Sequence, residues 1–66
     1  MKIILNGQEK ELSTSLKLQQ IVAQFCKNSQ TVIAEVNGAI VDRSQWERKL
    51  ITDGDSIELV SFVGGG

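Results

Sequence analysis

The stretch SIELVSFV at residues 56–63, followed directly by Gly64-Gly65-Gly66, decides the fold of this chain. Its apolar residues alternate with polar ones and then run on, which is typical of a β-strand. Three successive glycines carry no side chains, so we expect a flexible tail that ends at the α-carboxylate of Gly66. The alternative is an ordinary frayed end. We favour a folded body at residues 1–63 that holds out a flexible tail at residues 64–66.

Length and composition limit the chain to one small domain. With 66 residues there is room for one modest core. The single cysteine allows no intramolecular disulfide, and the sequence contains no histidine for a metal site, so we expect a reduced, cytoplasmic setting. The seven basic residues are scattered and the net charge is −1, which argues against nucleic acid as a partner. No apolar run reaches the roughly 18 residues of a membrane span. We expect a soluble protein that is monomeric when free.

Two Asn-Gly pairs, Asn6-Gly7 and Asn37-Gly38, predict two β-hairpins. This dipeptide favours the two positive φ angles of a type I′ turn, which suits the twist of paired strands. The predicted strands are residues 2–5 and 8–12 for the first hairpin and residues 31–36 and 39–41 for the second.

Between the hairpins the hydrophobic period becomes that of an amphipathic helix. Apolar residues fall at i, i+3, i+4 and i+7, namely Leu18, Ile21, Val22 and Phe25. Two N-caps are possible: Ser15 offers a hydroxyl, whereas a start at Lys17 brings Gln20 to the third helical position. We predict a helix at about residues 16–26.

The segment after the second hairpin is predicted to cross the fold and enter the last strand. Residues 43–48 indicate a short helical turn in which Trp46 is a buried anchor, with ligand stacking as the alternative. Leu50-Ile51 is expected to pair briefly with the sheet, and Asp53-Gly54-Asp55 is a turn signal. One helix among these strands predicts an α+β roll, in which a mixed sheet of about five strands packs over the helix.

Residues that carry out catalysis are scarce. The sequence has no histidine, no tyrosine, no phosphate-binding loop, and no serine or cysteine beside a base, so we predict no enzyme activity. Cys26 is interpreted as a half-buried hydrophobe in preference to a reactive thiol. Asp53 and Asp55 are interpreted as turn residues in preference to metal ligands.

Strand alternation predicts an uncovered apolar patch on the sheet. If Ile57 and Leu59 face the helix, their neighbours in the last strand face the opposite side, and the same holds for the first and third strands. A single helix leaves that side uncovered, and exposed apolar patches commonly mark docking surfaces. A slip of one residue in register would invert the assignment. We call this set the docking patch: Ile4, Ile33, Glu58, Val60 and Phe62.

Taken together, these features resemble the ubiquitin-like β-grasp sulfur carriers, and within them the carriers of the thiamine pathway. The resemblance covers essentially the whole chain and rests on the order of the elements and on four segments. Those segments are Val36-Asn37-Gly38-Ala39-Ile40-Val41, Arg43-Ser44-Gln45-Trp46, Asp53-Gly54-Asp55 and Gly65-Gly66. Gly64 is an addition to the minimal diglycine pattern.

The resemblance implies that the chain is a protein substrate for partner enzymes. A partner adenylyltransferase would use ATP and magnesium to adenylate the Gly66 carboxylate, and a relay from a cysteine desulfurase would convert it to a thiocarboxylate. Thiazole synthase would then take the sulfur for the thiazole ring of thiamine. Gly64 and Gly65 would serve in recognition of the tail, and the carrier itself would bind no cofactor or metal.

Three other interpretations stay open. The chain resembles, in the same fold, the carriers that serve molybdopterin synthesis or tRNA thiolation. It could also be a ubiquitin-like modifier that is joined to lysines. A plain interaction domain with an inert tail is the third.

Overall fold

The computed structural model describes residues 1–26 and 31–61. Within these residues the chain forms seven strands, one α-helix and one 3-10 helix. In chain order they are β1 (Lys2–Leu5), β2 (Gln8–Glu11), β3 (Leu16–Lys17), α1 (Leu18–Phe25), β4 (Val32–Val36), β5 (Ala39–Val41), the 3-10 helix (Arg43–Gln45), β6 (Leu50–Ile51) and β7 (Ser56–Ser61).

Five of the strands form one mixed sheet with the last strand at its centre. The strand order is β2-β1-β7-β4-β5. Strand β7 runs parallel to β1 and antiparallel to β4, so it joins the two hairpins into one sheet. The predicted fold class, an α+β roll of about five strands over one main helix, is confirmed, and the short helical turn predicted at residues 43–48 contains a 3-10 helix at Arg43–Gln45.

Both hairpin turns have the predicted geometry. Asn6 and Asn37 have φ angles of 50° and 53°, and the glycines that follow them have φ angles of 80° and 86°. These left-handed values are those of a type I′ turn. Each two-residue turn sets the register of its hairpin, because it makes the flanking residues direct partners: Leu5 pairs with Gln8, and Val36 pairs with Ala39.

The core lies between one face of the sheet and helix α1. The helix buries Leu18, Ile21 and Val22, and each such side chain contributes on the order of 1.5–3 kcal/mol when it leaves water. The remaining buried residues come from every other position of the strands, from Leu12 and from Trp46. They are Ile3, Leu5, Leu12, Val32, Ala34, Val36, Trp46, Ile51, Ile57 and Leu59.

Two predictions for this region were wrong. The helix begins two residues later than predicted, and Leu50-Ile51 does not pair with the five-stranded sheet. Residues 16–17 form strand β3, which pairs with β6 in a separate two-stranded sheet. The helix begins at Leu18, where the crossing segment satisfies its first donors: Leu18 N–H donates to the Lys49 carbonyl at 2.8 Å. Of the two possible caps, Lys17 is the one used, and its N–H donates to Gln20 Oε1 at 2.8 Å.

Trp46 anchors the crossing segment, as predicted. Its side chain is buried, and the indole Nε1 donates to the Val41 carbonyl at 2.9 Å. The Arg43 guanidinium lies 4.7 Å from the centre of the indole ring, a cation–π distance. Asp42 caps the 3-10 helix. Its pKa is lowered mainly by a hydrogen bond from the Ser44 hydroxyl and, to a smaller extent, by one from the Ser44 amide. Cys26 is half-buried against the core.

Candidate docking face and the C-terminal strand

Asn6 extends the hydrogen bonding of β7 beyond the end of its neighbour β1. The amide N–H of Leu59 donates to Asn6 Oδ1 at 2.8 Å, and Asn6 Nδ2 donates to the Leu59 carbonyl at 3.3 Å. The Asn6 backbone N–H also donates to the Ile57 carbonyl at 2.8 Å. The side chain of the turn residue therefore pairs with β7 in the way that another strand residue would.

Asn37 forms similar hydrogen bonds with the first residue of β7, from the side of the strand where β4 lies. Its Oδ1 accepts from Ser56 N–H at 3.0 Å, and its own N–H donates to the Ser56 carbonyl at 2.7 Å. Its Nδ2 donates to Asp55 Oδ1 at 3.0 Å. Strand β7 is thus held at its first residue by Asn37 and at Leu59 by Asn6, the asparagines of the two hairpin turns.

The Asp53-Gly54-Asp55 segment forms the predicted turn, with Gly54 at a φ of 87°. Asp53 accepts from Lys2 N–H at 2.7 Å, and Asp55 accepts from the Thr52 amide at 2.8 Å. Partial burial acts to raise the pKa of Asp55. It is outweighed by hydrogen bonds from Thr52 and Asn37 and by the attraction of Lys49, so that the pKa of Asp55 is lowered.

Four members of the docking patch lie on the face of the sheet that points away from α1. Ile4 is 38% exposed and Val60 is 50% exposed, Glu58 is exposed, and Ile33 is half-buried. Ile33 and Val60 are direct cross-strand partners in β4 and β7. Their role in docking stays a prediction. Phe62, Gly64, Gly65 and Gly66 lie outside the described residues.

Ile40, which was not predicted as part of the docking patch, is 70% exposed on the same face. Its cross-strand partner is Glu35, whose neighbours Ala34 and Val36 point into the core. The signal was available: the two-residue turn at Asn37-Gly38 pairs Val36 with Ala39, and the next pair is then Glu35 with Ile40. Ile40 extends the apolar surface to the free edge of β5.

A shallow groove of about 230 Å³ lies where this face meets the crossing segment. Its lining combines apolar residues of β4 and β5 with residues at and near the 3-10 helix. They are Val32, Ile33, Ile40, Val41, Asp42, Arg43 and Trp46. Across residues 1–26 and 31–61, no group of three or more histidine, cysteine, aspartate or glutamate side chains could hold a metal ion. No described helix is long and apolar enough to cross a membrane.

A mixed five-stranded sheet with its last strand at the centre and one helix on one face defines the ubiquitin-like β-grasp class. A model of the ThiS family matches residues 3–66, which include the glycines. The chain therefore belongs to the ThiS family, the family of the sulfur carrier proteins named ThiS.

Individual relatives agree with this assignment. The chain is 33% identical over 63 residues to the sulfur carrier protein ThiS of Bacillus subtilis, covering 94% of this chain and 96% of that protein. A crystal structure of the thiamine biosynthesis protein ThiS from Geobacter metallireducens matches with a TM-score of 0.87 at 28% identity, over 100% of both chains. A thiazole synthase of Paramagnetospirillum magneticum is 35% identical over 66 residues, which are all of this chain and 20% of that protein. This chain thus spans only a fifth of that relative's length.

Proposed function

We propose that this chain is the sulfur carrier for formation of the thiazole ring of thiamine and acts as a protein substrate of partner enzymes. The observation that carries the proposal is the match to the ThiS family, which runs through Gly66, on a β-grasp body. The reacting group in this proposal is the Gly66 carboxylate, and the described body supplies the strand that presents it.

The chemistry follows from an unhindered terminal carboxylate. Its reference pKa is about 3.5, so it is an anion at neutral pH and can attack the α-phosphate of ATP. Pyrophosphate leaves and an acyl-adenylate forms, with the ATP and magnesium bound by the partner adenylyltransferase. A persulfide sulfur supplied through a cysteine desulfurase then attacks the carbonyl and displaces AMP. A thiol cleaves the resulting S–S bond, which leaves the thiocarboxylate.

The geometry of the body suits this role. Strand β7 is paired on both sides and is held at Ser56 by Asn37 and at Leu59 by Asn6, so it is a rigid base for a tail. Three extended residues add about 10 Å of reach beyond Val63. Glycines place no side chain in the path of that approach, so the tail can enter a narrow cleft while the body stays outside.

The proposed partners dock on the outward face of the sheet. Apolar contacts come from the outward side chains of Ile4, Ile33, Val60 and Ile40, on the side of the sheet that α1 does not cover. A thiazole synthase that contains a segment similar to this chain supports thiazole synthase as the acceptor of the sulfur. Because the first step consumes ATP, we place the reaction in the cytoplasm.

Intact mass spectrometry tests the proposal. Protein incubated with its adenylyltransferase, ATP, magnesium, a cysteine desulfurase and cysteine should gain about 16 Da, as sulfur replaces one oxygen. Removal of Gly65 and Gly66 should abolish ATP–pyrophosphate exchange by the adenylyltransferase, because the reacting carboxylate is then displaced by two residues and no diglycine end remains. Exchange at an unchanged rate would contradict the proposal.

The alternatives give different results in the host. A lysine isopeptide in place of a free thiocarboxylate would identify a protein modifier. Loss of molybdenum-enzyme activity in a deletion strain that still makes thiamine would identify a carrier for molybdopterin synthesis.

A further inference from the structure

Two glutamates lie directly opposite each other on the outward face of the sheet. Glu35 of β4 and Glu58 of β7 are cross-strand partners. The Cβ atoms of such partners are about 4.5–5.5 Å apart, and like charges at this spacing destabilise the sheet. Within residues 1–26 and 31–61, neither carboxylate has a hydrogen bond or an ion pair that would offset this repulsion.

Apolar side chains surround this acid pair. Ile40 is the neighbour of Glu35 on β5, and the next pair along β4 and β7 is Ile33 with Val60. A partner that covers these apolar residues also removes water from the two carboxylates. Loss of water makes an unpaired carboxylate unfavourable, so the partner has to bring a compensating group.

The rest of the face adds negative charge. Glu9 and Glu11 of β2 lie on the same face as Glu35 and Glu58. Among the described strand residues that point to this face, Lys2 is the one cation, and its ammonium group lies 3.8 Å from the Glu9 carboxylate. These strand positions together carry a net charge of −3, whereas the whole chain carries −1. The complementary surface is basic and apolar together.

We propose that the Glu35–Glu58 pair receives a cationic side chain, an arginine or a lysine, from the adenylyltransferase at the outward face of the sheet. This inference rests on the proposed function, which supplies the partner. A guanidinium between two carboxylates makes charge-assisted hydrogen bonds to both and removes their repulsion. A protein with an apolar surface but no such cation is rejected, because it would bury two uncompensated charges.

Binding kinetics with the purified adenylyltransferase of the same genome, without ATP, test the proposal. The variant is the double substitution Glu35→Gln and Glu58→Gln. The matched control is Glu9→Gln with Glu11→Gln, which changes the net charge equally at the margin of the face. Both are measured at low and high salt, because long-range attraction acts mainly on the association rate and is screened, whereas a buried contact acts on dissociation.

The dissociation rate of the Glu35 and Glu58 variant should rise about 10-fold or more, and this rise should persist at high salt. The control should change the association rate by only about 2–3-fold, at low salt. The midpoint of thermal unfolding of the first variant should increase by about 2–5 °C, because the repulsion is gone. Weaker binding by a more stable protein excludes misfolding as the cause.

Equal effects of the two double variants, or unchanged dissociation in the first, would overturn the proposal while the carrier function stands. Absence of adenylation of the unsubstituted chain would instead overturn the proposed function, and this inference with it.

Discussion

At the scale of single residues, Asn6 combines two functions that are separable by substitution. Its backbone takes the left-handed conformation of the turn, with a φ of 50°, and its side chain holds Leu59 through two hydrogen bonds. Glycine keeps the first function and removes the second. Alanine removes both, because a Cβ atom disfavours this conformation.

Asn6→Gly should therefore lower the free energy of unfolding by about 1–2 kcal/mol, and Asn6→Ala by about 1 kcal/mol more. Urea unfolding measures both values. The Leu59 amide should exchange faster with solvent in both variants, whereas the amide of residue 6, which donates to Ile57, should stay protected. Equal loss of stability in the two variants would show that backbone strain plays no part.

Asp55 makes stability depend on pH. The pKa of its carboxyl is lowered in the folded chain from 3.8, so the stabilisation is fully present above that pH and is lost as pH falls through the folded value. Asp55→Asn should reduce the free energy of unfolding by about 0.5–1 kcal/mol at pH 7, since it loses hydrogen bonds to a charged acceptor that solvent partly screens. The difference from the unsubstituted chain should shrink below about pH 4.

Urea midpoints between pH 7 and pH 3 measure this difference. Glu47→Gln is the control, because in the described part of the chain this carboxylate is exposed and makes no hydrogen bond. A difference between Asp55→Asn and the unsubstituted chain that is constant with pH would contradict the assignment of the pKa.

The sequence predicted the turns at Asn6 and Asn37 but not their contacts with β7. The turn depends on local φ angles, which the Asn-Gly dipeptide itself determines. The side-chain contacts of Asn6 join residues that are 53 positions apart, so they exist only once the sheet has its strand order. The local sequence around Asn6 therefore does not predict its contact with Leu59.

At the scale of elements, β7 presents one side to the core and the other to the proposed partners. Leu59 is buried and Val60 is half exposed, although they are adjacent in the chain. This alternation was predictable, because it follows from the period of a strand. For the start of α1 the sequence offered two caps without deciding between them, since the choice depends on carbonyls of Trp46 and Lys49 in the distant crossing segment.

The two faces of β7 predict opposite results for aspartate at neighbouring positions. Val60→Asp should change the free energy of unfolding by less than about 1 kcal/mol and weaken binding to the adenylyltransferase by about 10-fold or more. Leu59→Asp buries a charge and should cost about 4 kcal/mol or more, which is enough to unfold a domain of this size. Circular dichroism and titration calorimetry measure the two effects. Unfolding of Val60→Asp would contradict the outward assignment of this residue.

At the scale of the whole molecule, the first and last strands of the chain are neighbours. Strand β7 pairs with β1 on one side and with β4 on the other, so the two hairpins meet only through it in the five-stranded sheet. The fold class, an α+β roll, was predictable from the order of hairpin, helix and hairpin, whereas the strand order was not predicted. The separate β3–β6 sheet was not, because two-residue strands give no periodic signal.

Removal of residues 56–66 should leave an unfolded chain, since the two hairpins then share no strand and the core loses Ile57 and Leu59. Removal of residues 64–66 alone should shift the thermal midpoint by no more than about 2 °C, because the described core ends at Leu59. Circular dichroism on the two truncated chains measures both. Unfolding of the shorter deletion would assign the glycines a structural role.

The central position of β7 also has a mechanical consequence. A partner that grips the chain beyond Ser61 and pulls would load the strand along its own axis. The ladders to β1 and β4 would then resist in shear, with many hydrogen bonds loaded together, whereas an edge strand such as β5 can be peeled away one bond at a time. The body can therefore be drawn against an enzyme by its C-terminal end without being unravelled by the same force.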